Sequence, residues 1–423
     1  MLKTIDINAI PSNSTQVYGA ETLDTVREMI ERIRHGGESV VREYGEHHGD
    51  LTAGQPLMVE SSALNAAFDG LPETEREALT RVANRIRQFA HAQKESLSAL
   101  AMDVPGGQVG HDVVPVDVAG CYAPGGRYPL PSTVFMTVIP AKVAGVGRVL
   151  LASPKPTVHT LAAAYLAGAD AVYQVGGAQA IAGMAFGHLG GAPANVLVGP
   201  GNRFVAAAKE LLAAEVRIDM LAGPSELMVV ADETADPNVV AIDLLAQAEH
   251  DTDATPVLVA TSAQWLEAVK EALTVNVEQL PEANQINARA ALDNGWSVVV
   301  ESIDQAVTIA NDWAPEHLEL CFKGAADRVA EFKNCGAVFI GSLSAEVLGD
   351  YSAGPNHTLP TGGVSKQKAG LSVLDFLRVR TWINITDAEA AKELYEDAAI
   401  LGRMEGLEGH ARSAEARLSL GDA

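Results

Sequence analysis

Apolar positions change rhythm along the chain. From about Glu21 to Leu100 they recur every three or four residues, the spacing of one helix face. TLDTVREMIERIRHGG predicts a helix that stops at Gly36-Gly37. ETEREALTRVANRIRQFAHAQKESL predicts a second long helix, its charges forming a solvated face. Beyond Val113, short β-branched and apolar runs take over: VVPVDVAGCYA, RVLLASP, AVYQVGG, NVLVGPG, ELMVVAD, PVLVATS, SVVVES and AVFIGS. Ala-rich helical stretches such as HTLAAAYLAGA and FVAAAKELLAA separate many of them. That alternation predicts βαβ units and an α/β fold with mostly parallel, two-sided sheets. The tail from about Asp387 to Arg417 reads as helical but too polar for a core of its own. It is expected to pack on another domain or on a second subunit.

The 423 residues include 54 Asp or Glu and 30 Lys or Arg, a formal charge of −24. Binding a phosphate backbone needs clustered cations, so neither nucleic acid nor an anionic membrane is an expected partner. Cys121, Cys321 and Cys335 are widely spaced, which excludes a disulfide framework and a cysteine-rich zinc module. A metal must then be held by His, carboxylate or amide side chains. The start, MLKTIDINAIPSN, lacks the apolar core of a signal peptide, and no run reaches the roughly 18 to 20 apolar residues of a membrane span. A soluble, cytoplasmic protein is expected.

In open α/β sheets, ligands bind beyond the carboxyl ends of strands. Cys121-Tyr122-Ala123-Pro124-Gly125-Gly126, Val175-Gly176-Gly177-Ala178-Gln179 and Gly199-Pro200-Gly201-Asn202 each follow a predicted strand and open a helix. Each is either a tight strand–helix turn or a loop that brings backbone N–H groups to a nucleotide. Asp236-Pro237 is a helix start, and the helix it opens carries Gln247 and His250 three apart near its end. Asp350, in LGDYSAGPNH, suits a polar site loop or a cap. His357 reads as a ligand, a cap or a plain loop residue, and His410 as a solvated tail residue unless the fold gathers it in. Gln, His, Asp and His together make a mixed N/O set suited to zinc. Ala314-Pro315-Glu316-His317 places a carboxylate and an imidazole after a proline turn, at the expected start of a helix. Glu316 is either a water-activating base beside a proton-moving His317, or an early-helix charge on the macrodipole.

CYAPGG, VGGAQAIA, VGPGN, IDMLAGPSE, LLAQAEHD, APEHLEL, LGDYSAGPNHTLPTGG and EGLEGH, in that order, resemble the motifs of the histidinol dehydrogenases from about Val113 to His410. The resemblance implies a zinc-dependent, NAD-linked homodimer that oxidises L-histidinol to L-histidine through an aldehyde, a step of histidine biosynthesis. It implies one zinc per subunit on Gln247, His250, Asp350 and His410, and Glu316 and His317 as the catalytic pair. It puts NAD on Tyr122, Gln179 and Asn202. Substrate falls on Ser225, Gln247, His250, His317, Asp350, Glu405 and His410.

The implied fold is two incomplete Rossmann-like domains with small terminal pieces. Residues 1–20 would be an arm, and residues 21–121 with 227–370 a discontinuous first α/β domain carrying most metal and catalytic residues. Residues 122–226 would be an inserted NAD-binding domain, and 371–423 a helical tail reaching the partner subunit's site. Arg127-Tyr128-Pro129-Leu130 departs from the usual run and looks like the related sulfopropanediol dehydrogenases. An added guanidinium at Arg127 is the motive for that alternative, a different small polar alcohol with an anionic group.

Overall fold

The computed structural model describes residues 2–13, 18–125 and 129–418. It divides into one large unit, residues 1–91 with 116–376, and a small one, residues 92–115 with 377–423. The large unit holds two parallel sheets of the same design. One runs in the order Ala171–Tyr173, Arg148–Ala152, Val118–Tyr122, Val196–Val198, Arg217–Ile218. The chain enters at the middle strand, winds outward one way, then returns and winds the other way. The second sheet repeats this from Glu226–Ala231, outward through Thr255–Ala260 to Trp296–Val299, then back to His317–Cys321 and Ala337–Ile340. Lys3–Thr4 is added at its edge. Every strand pair in both is parallel, so the expected fold class, α/β with mostly parallel sheets, holds.

Two-sided burial explains the unbroken apolar runs. Along Glu226–Ala231, Leu227, Val229 and Ala231 enter one core, while Met228 and Val230 enter another on the opposite face. Helices Ala20–Gly36 and Glu38–His47 bury Val26, Met29, Ile30, Ile33 and Val41 in the core of the five-stranded sheet. They therefore cover the sheet of residues 118–218, not the 227–340 sheet with which the sequence reading grouped them.

The small unit is an antiparallel sheet of Leu100–Val104, Gly107–Pro115 and Leu377–Ile385, followed by helices Lys392–Met404 and Glu408–Leu418. The run VVPVDVAGCYA is thus two strands, in different units. The tail is likewise two helices, broken where Gly406 takes φ +79°. Ala399, Ala411 and Ala414 form the small core between them. No helix among the described residues is long and apolar enough to cross a membrane. Arg127 lies outside the described residues.

Candidate active site

At the carboxyl ends of the five-stranded sheet, Tyr122 and Gly199 flank the point where the strand order reverses. Gly199 has φ +118°, and a Cβ there would stand 2.0 Å from the Tyr122 carbonyl oxygen, so only glycine permits this approach. The loop is braced from inside by a buried ion pair. Lys209 Nζ contacts Asp219 and donates to the Gly199 carbonyl at 3.0 Å, and Asp219 Oδ2 accepts from the Gly199 N–H at 2.6 Å.

Asn202 caps helix Arg203–Leu212, accepting from Phe204 N and Val205 N, which leaves its amide nitrogen free to donate outward. Tyr122 is buried, and its hydroxyl accepts from Gly177 N at 3.1 Å; burial pushes that hydroxyl up to about 12. Gln179 is buried in helix Gly177–Ala185, its amide nitrogen 3.5 Å from Asp50. Asp50 also accepts from Gly176 N at 2.9 Å. The sequence reading did not single out Asp50. Two helix N-termini and three glycine turns open at this edge, an arrangement that suits an anionic dinucleotide.

The other cluster lies at the amino ends of the six-stranded sheet. Asp236 caps helix Pro237–Ala248, as expected, with Pro237 at its first position. Gln247 sits in the last turn and His250 just past the Glu249 cap, so the helix end rather than one face presents them. Glu316-His317 opens a strand, not a helix. Ala314 ends helix Ile303–Trp313 in a left-handed conformation (φ +56°), and HLELC then pairs with Glu226–Ala231, His317 opposite Leu227. Burial between two neighbouring strands overrides the local helix signal. Asp350 is also corrected: it lies on a short helix, Glu346–Tyr351, not in an open loop.

These elements bring His250, Glu346 and Asp350 together, with one ligand atom of each within 4.8 Å of the others. His250 Nε2 is 3.5 Å from Asp350 Oδ2. Gln247 is fully buried, and neither its oxygen nor its nitrogen has a hydrogen-bond partner. A buried amide left so costs a few kcal/mol unless something else binds it. Glu346, 1% exposed, also lacks a hydrogen-bond partner on either oxygen. The donor set and these unpartnered atoms fit a divalent metal. The sequence reading missed Glu346, which stands one helical turn before Asp350; reading the stretch as loop hid that i, i+4 spacing.

His317 Nδ1 lies 3.0 Å from the Glu226 carbonyl, which can only accept, so Nδ1 carries the proton and Nε2 is the free lone pair. Nε2 faces Glu346 Oε1 at 3.5 Å and Asp350 Oδ1 at 4.0 Å, without a hydrogen bond. Burial lowers His317 to about 4, against the pull of Asp350. Burial raises Glu316 well above the carboxylate range, reinforced by Glu226, Asp350 and Glu346. Burial also drives Glu346 up to about 9, with Asp350 adding to it. Burial alone would raise Asp350; its hydrogen bond to His250 and the neighbouring imidazoles hold it below its ordinary value. His250 is raised, first by that same hydrogen bond.

His357 turns inward: Nδ1 is 2.8 Å from the Asp350 carbonyl and Nε2 is 3.3 Å from Thr133 Oγ1. Beside it, Asn356 donates to the Met136 carbonyl at 2.7 Å. Pro140 stands four residues later in helix Pro131–Ala144 and has no N–H for that carbonyl. A cavity of about 300 Å³ between His317, Phe339, Asn356 and His357 adjoins the site. A second, of about 570 Å³, runs from His250 and Tyr351 to Pro129, Leu130 and Ser132, next to the CYAPGG segment. Ser225, the implied substrate contact, immediately precedes strand Glu226–Ala231. In the small unit, Glu405 and His410 line one open groove of about 410 Å³ with Leu401 and Arg417.

A family model described as Histidinol dehydrogenase matches residues 13–418. The chain belongs to the histidinol dehydrogenase family. It is 42% identical over 397 residues to a histidinol dehydrogenase of Thermus thermophilus, covering 93% of this chain and 94% of the relative. It is 41% identical over 399 residues to one from Aromatoleum aromaticum, covering 93% and 90%. A crystal structure of histidinol dehydrogenase from Elizabethkingia anophelis superposes with a TM-score of 0.89 at 30% identity, covering all of this chain and 95% of that one. The resemblance carried by the ordered motifs therefore holds, and with it the expectation of an oxidoreductase.

Proposed function

We propose that the chain oxidises L-histidinol to L-histidine in the cytoplasm, using NAD and one zinc per subunit. The observation that carries this reading is the fully buried, unpartnered Gln247 amide three residues before His250, whose Nε2 is 3.5 Å from Asp350, itself 4.0 Å from the free Nε2 of His317. The zinc would be held by Gln247, His250 and Asp350, with His410 from the tail of a second copy. Glu405 of that tail would touch the substrate, as would Ser225. An exposed apolar set on the small unit, including Val379, Ile383, Ile400, Leu401 and Met404, supports burial against another copy. Tyr122, Gln179 and Asn202 would hold NAD. Residues 122–226 would then act as the NAD-binding part, and 227–370 as the metal-binding and catalytic part.

When bound, zinc supplies a Lewis acid that anchors the substrate's nitrogens, and NAD supplies the hydride acceptor for both oxidations. His317 Nε2, kept neutral by burial, takes the proton of the alcohol as the carbon is oxidised to the aldehyde. Glu316, whose affinity for a proton is raised, then takes a proton from water as its oxygen adds to the aldehyde carbon. His317 deprotonates the resulting hydrate as the second oxidation proceeds. The sum is histidinol, water and two NAD giving histidine, two NADH and three protons.

Purified protein should contain about one zinc per chain and form two NADH per histidine, read from NADH absorbance and amino-acid analysis. Turnover of a sulfonated alcohol but not of histidinol would replace this substrate.

A further inference from the structure

Glu226 is 5% exposed, and its atoms hold both members of the Glu316–His317 pair. Its N–H donates to Glu316 Oε2 at 2.9 Å, and the Glu316 N–H donates back to Glu226 Oε2 at 3.3 Å. Its carbonyl accepts from His317 Nδ1 at 3.0 Å. Its remaining acceptor capacity is taken by distant segments: Asn13 Nδ2 donates to Oε2 at 2.9 Å, and the Gly362 N–H to Oε1 at 2.7 Å. An ordinary parallel ladder uses backbone groups alone; here two carboxylates cross-cap the strand starts just before the register His317 to Leu227.

We propose that Glu226 is the positioning residue of the catalytic pair, its carbonyl fixing the His317 tautomer, its N–H holding the Glu316 carboxylate and its own carboxylate anchoring the Glu316 backbone, so that Glu316 keeps the pose that meets water. This rests on the dehydrogenase reading above. The division of labour is physical. A side-chain substitution leaves the carbonyl and the N–H, and so the contacts with His317 and with the Glu316 carboxylate, in place. It disturbs only the Glu316 segment and the turns of Asn13 and Gly362 that converge on it. Glu226 also stands as a second acid beside Glu316, and burial, opposed by these three donors, carries it up to about 7. The other charged groups that face Glu316 are His317 on its own strand, and Glu346 and Asp350 from the neighbouring short helix.

The test separates the two half-reactions in zinc-loaded full-length protein, with histidinol and with its aldehyde as starting substrates. Glu226→Gln keeps the volume but puts an NH₂ against an N–H donor. It should lower kcat for aldehyde-to-acid oxidation at least about tenfold at unchanged KM, and leave alcohol oxidation within about threefold. Removing the like charge should also move the acidic limb of the aldehyde step to lower pH. Asn13→Ala, at a half-buried position outside the strands, should give a smaller loss in the same step, and it carries the test if Glu226→Gln does not fold. Equal losses in both half-reactions, or an unmoved limb, would overturn the proposal. The infrared band of protonated Glu316, identified by its absence from Glu316→Gln, should titrate at lower pH in Glu226→Gln. That readout needs no substrate, so it supports or overturns the positioning role even if wild type turns over a different alcohol.

Discussion

The two parallel sheets share one strand order but place chemistry at opposite edges. In the five-stranded sheet the candidate cofactor side chains lie at the carboxyl ends, where helices begin and N–H groups point outward. In the six-stranded sheet Glu316, His317, Gln247 and His250 lie at the amino ends, where helices Pro237–Ala248 and Ile303–Trp313 finish. A helix N-terminus favours an anion and a C-terminus a cation, by about 0.3–1 kcal/mol each. One winding rule therefore yields an anion-seeking edge on one sheet and a cation-seeking edge on the other. The buried charges follow suit. An opposite pair, Lys209 and Asp219, braces the first edge, while four buried acids, Glu226, Glu316, Glu319 and Glu346, crowd the second, where burial favours their protonated forms.

If the acid-rich edge is the reactive one, Glu316→Gln should slow aldehyde-to-acid oxidation by about 10²–10⁴-fold while sparing alcohol oxidation. Stopped-flow NADH formation from each substrate would show it, and a uniform loss would move water activation to another group. At the opposite-charged edge, Lys209→Met should cost about 3–5 kcal/mol by denaturant unfolding, because it strands Asp219 uncompensated. The double variant Lys209→Met, Asp219→Leu should recover much of that. A double variant no better than the single would mean the pair is needed for the Gly199 loop itself.

A smaller effect is expected from Gly199→Ala. The positive φ and the contact with the Tyr122 carbonyl should cost about 1–3 kcal/mol and raise KM for NAD more than they lower kcat. The effect expected from Glu319→Gln is set by pH and is smallest in acid. Burial, with Asp243 adding, raises Glu319 from 4.5 to about 8 in the folded protein. The stability it contributes is thus fully present below about 4.5 and lost as pH rises toward 8. In metal-free protein the variant's gain in unfolding free energy, read by denaturant titration, should grow over that window, by at most about 1.4 kcal/mol per pH unit. A pH-independent difference would place Glu319 outside the titrating cluster.

The patterns of apolar residues were enough for the parallel sheets, because a strand buried on both faces must be apolar throughout. The glycine turns were legible because positive φ and close approach leave a mark in residue type. Gln247, His250, Asp350, Glu316 and His317 carry motif signals, and the fold gathers them at one edge. Three matters escaped the local pattern. Glu316-His317 follows a proline and looks like a helix start, yet pairing with Glu226–Ala231 makes it a strand. Glu346 reads as a loop charge until the short helix turns it toward Asp350. Glu226 reads as one letter of GPSE, and only the approach of Asn13, Gly362 and Glu316 reveals five hydrogen bonds on it.

The sequence by itself determined the parallel α/β class, the family and the chemical kinds of donor, since these depend on residue type and near spacing. Tertiary structure alone decided which edge of each sheet became a site, which buried acids meet, and that a proton sits on His317 Nδ1. Those outcomes depend on contacts between residues 90 and 213 positions apart, such as Glu226 with Glu316 and with Asn13, and burial then sets their charge.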